Sequence, residues 1–124
     1  MKNKILIIDD EELIIKSLTK LLEKTGFEVF VAKNGQDAIV MAEEEEFDLI
    51  ISDIRMPGIN GVETIQGILV GLKKDGRDVP PVIFITGYAD KDCEREAKKL
   101  NPVAYIYKPF DIVDLVKKIK LTLK

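Results

Sequence analysis

Apolar and polar residues alternate along the chain in blocks that predict five strands, each followed by a helix. The predicted strands are short apolar runs at residues 5–8, 28–32, 49–52, 82–86 and 104–107. Between and after these runs, apolar residues recur at helical spacing, which predicts helices near residues 11–24, 34–42, 62–73, 90–100 and 111–123. Nearly continuous apolar strands that alternate with helices are typical of a parallel sheet covered by helices on both faces.

The order of these elements predicts one α/β domain over residues 1–124, because no linker, repeat or change of composition interrupts them. We expect a doubly wound, flavodoxin-like (βα)5 arrangement with five parallel strands in the order 2-1-3-4-5. In such sheets, ligands bind just beyond the carboxyl ends of the strands, where the strand order reverses. The residues at these strand ends are therefore the candidates for chemistry.

The candidate residues at the strand ends are acids, one hydroxyl and one lysine. Asp9 and Asp10 follow the first strand, Asp53 the third, Thr86 ends the fourth, and Lys108 follows the fifth. Since the first and third strands are neighbours in the expected order, three carboxylates should converge, and they require raised pKa values or a cation. Mg²⁺ suits a sparse carboxylate site that keeps several waters. With an ammonium and a hydroxyl opposite, the set matches what a phosphoryl group requires.

Composition narrows the chemistry further. None of the 124 residues is histidine, which removes the commonest general base and the commonest zinc ligand. Cys93 is the single cysteine, so neither an internal disulfide nor a cysteine zinc site is expected. A net charge of −3 does not favour nucleic-acid binding, and no apolar run reaches the length of a signal peptide or membrane span. We expect a cytoplasmic protein that contacts neither nucleic acid nor membrane.

Four segments together resemble the receiver domain of two-component response regulators. They are ILIIDDE at residues 5–11, FDLIISDIRMPGINGVE at 47–63, VIFITGY at 82–88 and YIYKPFDIVDL at 105–115. The resemblance extends over essentially the whole chain. It implies that Asp53 is the phosphoacceptor, that Asp10 binds Mg²⁺ (or Mn²⁺) directly, and that Asp9 binds it largely through water. The backbone carbonyl of Arg55 would complete the protein ligands of the metal.

The same resemblance implies a reaction and its donor. Asp53 would take a phosphoryl group from a phosphohistidine on a sensor histidine kinase or phosphotransfer protein, while Thr86 and Lys108 contact the phosphoryl oxygens. The chain would thus catalyse its own phosphorylation and a slow dephosphorylation, although it acts mainly as a signalling switch. Arg55 and Tyr88 flank the site and would tune the lifetime of the phosphate. The Lys108–Pro109 peptide bond is expected to be cis.

The resemblance also implies how the signal leaves the site. After phosphorylation, the Thr86 hydroxyl would move inward and the Tyr105 ring would turn into the space that it vacates. This would change the face made by the fourth helix, the fifth strand and the fifth helix, which contacts an effector domain or downstream protein. The apolar and basic segment at residues 110–120 could also form a homodimer on phosphorylation.

Other interpretations of these residues remain open. Asp9 and Asp10 could merely cap the first helix, and Tyr105 could be ordinary packing. A haloacid-dehalogenase-type phosphatase also uses an aspartate nucleophile with Mg²⁺, but it needs an acid where this chain has Arg55. A nucleotide-binding flavodoxin-like protein would need a Gly/Ser/Thr-rich loop after the first strand. A receiver-like interaction module that works without phosphorylation is the remaining alternative.

Overall fold

The computed structural model describes residues 3–87 and 90–123, in which strands and helices alternate. The strands are β1 (Lys4–Ile8), β2 (Glu28–Ala32), β3 (Leu49–Asp53), β4 (Val82–Thr86) and β5 (Ala104–Tyr107). The helices are α1 (Glu12–Thr25), α2 (Gly35–Glu44), α3 (Gly61–Lys74), α4 (Lys91–Lys98) and α5 (Ile112–Thr122). All predicted strands and helices are present, and their ends lie within about two residues of the predicted ones.

The five strands form one parallel sheet in the order β2-β1-β3-β4-β5. This confirms the predicted doubly wound α/β fold. In the register of the sheet, Ile8 pairs with Ser52, and Asp53 pairs with Ile85. The carboxyl ends of β1 and β3 are therefore side by side at the point where the strand order reverses.

Successive residues of the central strands face opposite sides of the sheet and build two separate cores. One core packs beneath α2, α3 and α4, and its strand members are Leu6, Ile8, Ile50, Val82 and Phe84. The other packs beneath α1 and α5, and its strand members are Ile5, Ile7, Leu49, Ile51, Ile83 and Ile85. Full burial of each such side chain contributes roughly 1.5–3 kcal/mol, so these two layers hold the strand ends rigidly in place.

The sequence pattern of helix α1 does not show which of its apolar residues are fully buried. The pattern places Ile14, Leu18 and Leu21 at helical spacing, and all three pack against the core beneath α1 and α5. The fully buried residues of α1 are Ile15, Leu18 and Leu22, whereas Ile14 and Leu21 are half-buried. Both sets have helical spacing, so periodicity alone does not determine the rotation of the helix. Packing of α1 against the sheet and α5 determines it.

The chain returns closely to the end of β3 before α3 begins. The chain bends at residues 57–59, and Gly58 has a φ of 84°. The backbone N–H of Gly61 donates to the carbonyl of Ile54 at 2.7 Å. A Cβ atom at Gly61 would lie 1.9 Å from the carbonyl oxygen of Asp53. Glycine at this position therefore lets the start of α3 pack directly against the backbone of Asp53.

The Lys108–Pro109 peptide bond is cis, as the family resemblance implies. Asn101 has the left-handed conformation with a φ of 54°. Asp90 is the N-cap of α4 and accepts two backbone N–H groups of its first turn. Within residues 3–87 and 90–123, each helix is too short or too polar to cross a membrane.

Candidate functional site

Backbone hydrogen bonds continue the sheet one residue beyond its strands and hold the backbone of two candidate residues in place. The N–H of Asp9 donates to the carbonyl of Ala32 at the end of β2, at 3.1 Å. The N–H of Lys108 donates to the carbonyl of Thr86 at the end of β4, at 2.7 Å. The side chains of Asp9 and Lys108 therefore start from backbone that is part of the sheet.

Three carboxylates meet at this end of the sheet. Asp9, Asp10 and Asp53 each place an oxygen so that the three atoms lie within 4.8 Å of one another. Asp9 is 0% exposed and Asp53 is 4% exposed, whereas Asp10 lies open to solvent. The convergence that strand order predicts for these acids is confirmed. Their chemical roles remain predictions.

Lys108 lies among the acids and is shared by three carboxylates. Its Nζ lies 3.2 Å from Oδ2 of Asp9, 3.2 Å from Oδ2 of Asp53 and 2.8 Å from Oε1 of Glu11. The Lys108 side chain is only 12% exposed. The other oxygen of Asp53, Oδ1, accepts the N–H of Ile54 at 2.8 Å. Both oxygens of the Asp53 carboxylate therefore have a donor, and only one of the two donors is charged.

The pKa values of Asp53 and Lys108 indicate that the site carries more negative charge than one lysine can balance. Burial, followed by the charge of Asp9, raises the pKa of Asp53 to about 6, although Lys108 and the N–H of Ile54 act in the opposite direction. Burial lowers the pKa of Lys108, but its hydrogen bond to Glu11 and the charges of Asp53 and Asp9 outweigh burial and raise it above the usual value. Asp53 is thus mostly ionised at neutral pH, at an electrostatic cost.

Glu11 belongs to this arrangement although the sequence analysis does not select it. Its backbone N–H donates to Oδ1 of Asp9 at 2.9 Å, and its own Oε1 contacts Lys108, which in turn contacts Oδ2 of Asp9. The three residues form a closed ring of hydrogen bonds. The available signal was the unbroken acidic run at residues 9–12, whose third member could reach the same edge of the sheet.

The remaining predicted site residues lie around this centre. Thr86 is fully buried at the end of β4, in register with Tyr107. Arg55 is exposed just after β3, and the proposed use of its carbonyl as a ligand stays a prediction. Tyr88, which was expected to flank the site, lies outside the described residues.

Tyr105 lies on β5, in register with Phe84 of β4. Its ring packs against Phe84 (centroids 6.3 Å apart) and edge-on against Tyr107 (5.5 Å apart). Its hydroxyl is buried and has no hydrogen-bond partner among the described residues. Burial, followed by the charge of Glu94, raises the pKa of Tyr105 to about 12. The expected role of Tyr105 as a switch residue stays a prediction.

The acids fit a hard divalent cation. Oxygens within 4.8 Å of one another can reach one ion, since Mg²⁺ takes oxygen ligands at about 2.0–2.1 Å in an octahedral shell. The raised pKa of Asp53 is what a carboxylate shows where positive charge is in short supply. The exposed Asp10 leaves one side of the cluster open to the waters that Mg²⁺ keeps. A set of oxygen ligands alone suits Mn²⁺ as well.

The fold and the site together define a doubly wound α/β domain with three acids and a lysine at its switch point. Comparison with known proteins identifies the family. Residues 5–120 match the family described as response regulator receiver domain. The chain therefore belongs to this family, whose members act in two-component signalling.

Individual relatives agree with this assignment. The chain is 36% identical to the transcriptional regulatory protein CrdR of Helicobacter pylori, over 97% of the chain and 54% of CrdR. It is 34% identical to sporulation initiation phosphotransferase F of Bacillus subtilis, over 93% of the chain and 89% of that protein. A CheY-like receiver domain structure from Methanospirillum hungatei has a TM-score of 0.88 and 32% identity, covering 99% of this chain and 94% of that one.

The extent of these matches varies among the relatives. The chain spans about half the length of the transcriptional regulators that it matches, 54% of CrdR and 55% of PdtaR from Mycobacterium tuberculosis. It spans most of the length of sporulation initiation phosphotransferase F, at 89%. The shared part in every case is the receiver domain, so the family assignment concerns that domain.

Proposed function

We propose that Asp53 accepts a phosphoryl group from a phosphohistidine on a sensor histidine kinase or a phosphotransfer protein. The observation that carries this proposal is the placement of its carboxylate. Oδ1 is held by the N–H of Ile54, and Oδ2 faces the ammonium of Lys108 at 3.2 Å, at the switch point of the sheet. A fixed carboxylate beside a fixed cation is suited to attack an anionic phosphorus centre.

Asp53 attacks as an ionised carboxylate, so the step needs no general base, in keeping with a chain that lacks histidine. An oxygen of Asp53 forms a bond to phosphorus as the phosphorus–nitrogen bond of the donor breaks in line with it. The bonding electron pair leaves with the imidazole of the donor, which takes up one proton from water and departs as neutral imidazole. The product is an acyl phosphate on Asp53, which water hydrolyses slowly by attack on phosphorus to restore the carboxylate.

The neighbouring residues supply charge and hydrogen bonds for this transfer. Asp9, Asp10, Asp53 and the carbonyl of Arg55 would hold Mg²⁺ or Mn²⁺, whose positive charge offsets that of the transferred group. Lys108 would donate to a phosphoryl oxygen from the opposite side of the acids, and the buried Thr86 hydroxyl would donate to another. A domain of this kind modifies itself and then reverts, so it is a switch with a slow intrinsic activity.

A groove beside the site offers a docking surface for the donor. It has a volume of about 520 Å³ and lies between the start of α1 and the loop before α5. Its lining combines Leu13 and Phe110 with Glu11 and Lys108 of the site itself. Leu13 is 79% exposed. Because the phosphohistidine must reach Asp53, the protein that carries it has to cover this mouth, and an apolar lip beside the site suits that contact.

The output would pass through Thr86 and Tyr105 to the face formed by α4, β5 and α5. The exposed apolar residues Tyr107 of β5 and Val113 and Leu121 of α5 suit a surface that meets an effector domain, a downstream protein or a second copy of the chain. Phosphorylation would bias two conformations of this face, as a ligand with unequal affinity for two states does.

The proposed setting is the cytoplasm, because a phosphohistidine donor is made from ATP. The acidic sequence, with a net charge of −3, supports a protein partner and not nucleic acid or an anionic membrane surface. The partners proposed here are those of the receiver domain, because the transcriptional relatives extend well beyond the shared domain.

The experiment that tests the proposal is incubation with Mg²⁺ and phosphoramidate, followed by intact-mass analysis. One phosphoryl group should be added to the protein, and hydroxylamine should remove it, as expected of an acyl phosphate. Asp53→Asn should abolish the modification. Asp48→Asn is the matched control, since Asp48 lies just before the opposite end of β3 and accepts the N–H of Lys4. An unmodified wild type would favour the interaction module, and turnover of phosphate esters would favour a phosphatase.

A further inference from the structure

The carboxylate of Glu11 contacts a distant lysine instead of capping its own helix. Glu11 is the N-cap residue of α1, a position where a side chain commonly accepts an N–H of the first turn. Among the described residues, the Glu11 side chain accepts no such bond. Its Oε1 lies 2.8 Å from Nζ of Lys108, 97 positions away in sequence. The side chain is thus committed to the site and not to the helix.

The geometry points to Glu11 as a positioning residue that holds Lys108 in the unphosphorylated protein and releases it to the phosphoryl group. This inference rests on the proposed roles of Asp53 and Lys108. It adds a residue that competes with the incoming phosphoryl group for the lysine. Glu11 would therefore set how readily the site accepts phosphorus.

The donors of Lys108 are fully used before any phosphoryl group arrives. An ammonium carries three N–H donors, and Lys108 has three carboxylate acceptors, at 2.8, 3.2 and 3.2 Å. A phosphoryl oxygen on Asp53 can receive a hydrogen bond from Lys108 only if one of these contacts opens. The contact that opens is the one whose loss costs the least free energy.

Burial and bonding identify Glu11 as the contact that opens. The Asp9 side chain is 0% exposed and is held by the N–H of Glu11, so it can neither turn away from Lys108 easily nor replace the ammonium with bulk water. Because Asp53 carries the phosphoryl group, the ammonium of Lys108 must stay beside Asp53. The Glu11 side chain is 56% exposed, and its carboxylate can turn into water, which replaces the lost hydrogen bond.

Release of Glu11 leaves the rest of the site in place. The hydrogen bond from Glu11 to Asp9 comes from the backbone N–H and not from the side chain. The carboxylate of Glu11 can therefore move away while Asp9 keeps its orientation. This separation of a fixed backbone contact from a movable side-chain contact is what a releasable hold on Lys108 requires.

The test compares the binding of beryllium trifluoride, a phosphoryl analogue, in the presence of Mg²⁺ by isothermal titration calorimetry. Glu11→Gln removes the charge, and Glu11→Asp keeps the charge but shortens the reach to Lys108. Both should bind the analogue about two- to fivefold more tightly than wild type, the effect of losing one partly exposed ion pair. Glu12→Gln is the matched control, because Glu12 is the next residue and pairs with Lys33 instead. Its affinity should equal that of wild type.

A second measurement follows Lys108 itself in metal-free protein without any phosphoryl analogue. Acetylation by a small amine-reactive ester, mapped by peptide mass spectrometry, should be faster at Lys108 in both Glu11 variants. In Glu12→Gln, the rate at Lys108 should be unchanged, while that at Lys33 rises. A general loss of structure would increase the rate at all lysines, and a purely long-range charge effect would spare Glu11→Asp.

The outcomes separate this inference from the function on which it rests. If wild type does not bind the analogue, the proposed phosphoacceptor function is wrong. If wild type binds it but the Glu11 variants bind equally or more weakly, or if Glu12→Gln improves binding as much, then Glu11 is not a competitor for Lys108.

Discussion

The two ends of the sheet both carry charged clusters, but their charges are satisfied in different ways. At the amino end, the guanidinium of Arg77 donates to the carbonyls of Ala42, Glu43 and Glu45, at 2.9, 3.3 and 2.8 Å. These carbonyls belong to the last turn of α2 and the residue that follows it, where backbone acceptors have no partner within the helix. At the carboxyl end, one ammonium, that of Lys108, is shared among three carboxylates.

This difference separates charge that stabilises the fold from charge that prepares a reaction. Arg77 meets neutral acceptors that need donors, so its contacts favour the folded state without opposing one another. Lys108 meets acids that repel each other, and burial, followed by the charge of Asp9, raises the pKa of Asp53. The carboxyl end of the sheet therefore carries more negative than positive charge. A metal ion or a movement of Lys108 can supply the missing positive charge.

The largest expected effect is on metal affinity at the carboxyl end. Asp9→Asn should weaken Mg²⁺ binding about 10- to 100-fold, since metal sites lose affinity on this scale when an orienting or ligating carboxylate is removed. Titration calorimetry of Mg²⁺ alone measures it. Asp48→Asn, at the opposite end of β3, should leave the affinity unchanged. Equal affinity of Asp9→Asn and wild type would show that the acids do not hold the ion.

The next effect concerns stability at the amino end. Arg77→Ala should lower the free energy of unfolding by about 1–3 kcal/mol, because three carbonyls lose a charged donor. Urea unfolding measures the loss, and phosphorylation by phosphoramidate should be unaffected. Lys74→Ala, at the exposed end of α3, is the control with little effect. If Arg77→Ala impaired phosphorylation without destabilising the protein, the division between the two ends would be wrong.

A change of similar size in the free energy of unfolding is expected when the pH of the metal-free protein is varied. The pKa of Asp53 is about 6 in the fold against an ordinary 3.8, so the folded state binds this proton more tightly. Its contribution to stability is present below about pH 4, is lost as the pH rises through about 6, and stays lost above that.

Asp53→Asn should remove this dependence and stabilise the protein at pH 7 by roughly 1–3 kcal/mol. Urea unfolding with EDTA at a series of pH values from 4 to 7 measures both curves. Parallel curves for wild type and Asp53→Asn would mean that the Asp53 charge is not costly. Saturating Mg²⁺ should reverse the order by stabilising wild type more.

The smallest effect is expected from the surface ion pair at the amino end. Lys4 and Glu45 approach at 2.9 Å, and both side chains are about one-third exposed. Glu45→Gln should therefore cost only about 0.2–1 kcal/mol, and less at high salt. Urea unfolding at two salt concentrations measures it, with Glu46→Gln as the neighbouring control. A large loss that is independent of salt would contradict this assignment.

The sequence pattern predicted the fold and the convergence of the three aspartates for one reason. Strand length, apolar periodicity and the rule that parallel strands share a carboxyl edge together locate any residue that immediately follows a strand. Asp9, Asp10 and Asp53 satisfy that condition. Lys108 does as well, and the structure brings its ammonium into contact with two of them.

Strand ends and apolar periodicity do not locate other features of the structure. The charged segment before β4 carries Arg77, whose contacts lie 32 to 35 positions away. The apolar spacing of α1 did not distinguish the fully buried Ile15 and Leu22 from the half-buried Ile14 and Leu21, because neighbouring stripes of one helix have the same spacing. The Glu11 carboxylate could have capped α1 or faced water, and no local pattern distinguishes these fates.

The sequence alone determined which residues end the strands, because local periodicity encodes where each strand stops and which side chains follow it. The tertiary structure alone decided which charges share a partner. Lys108 meets Glu11 across 97 positions of sequence, and its three carboxylate contacts follow from the packing of β1, β3 and β5 into one sheet. A contact between side chains depends on distances between elements, and periodicity within one element carries no information about those distances.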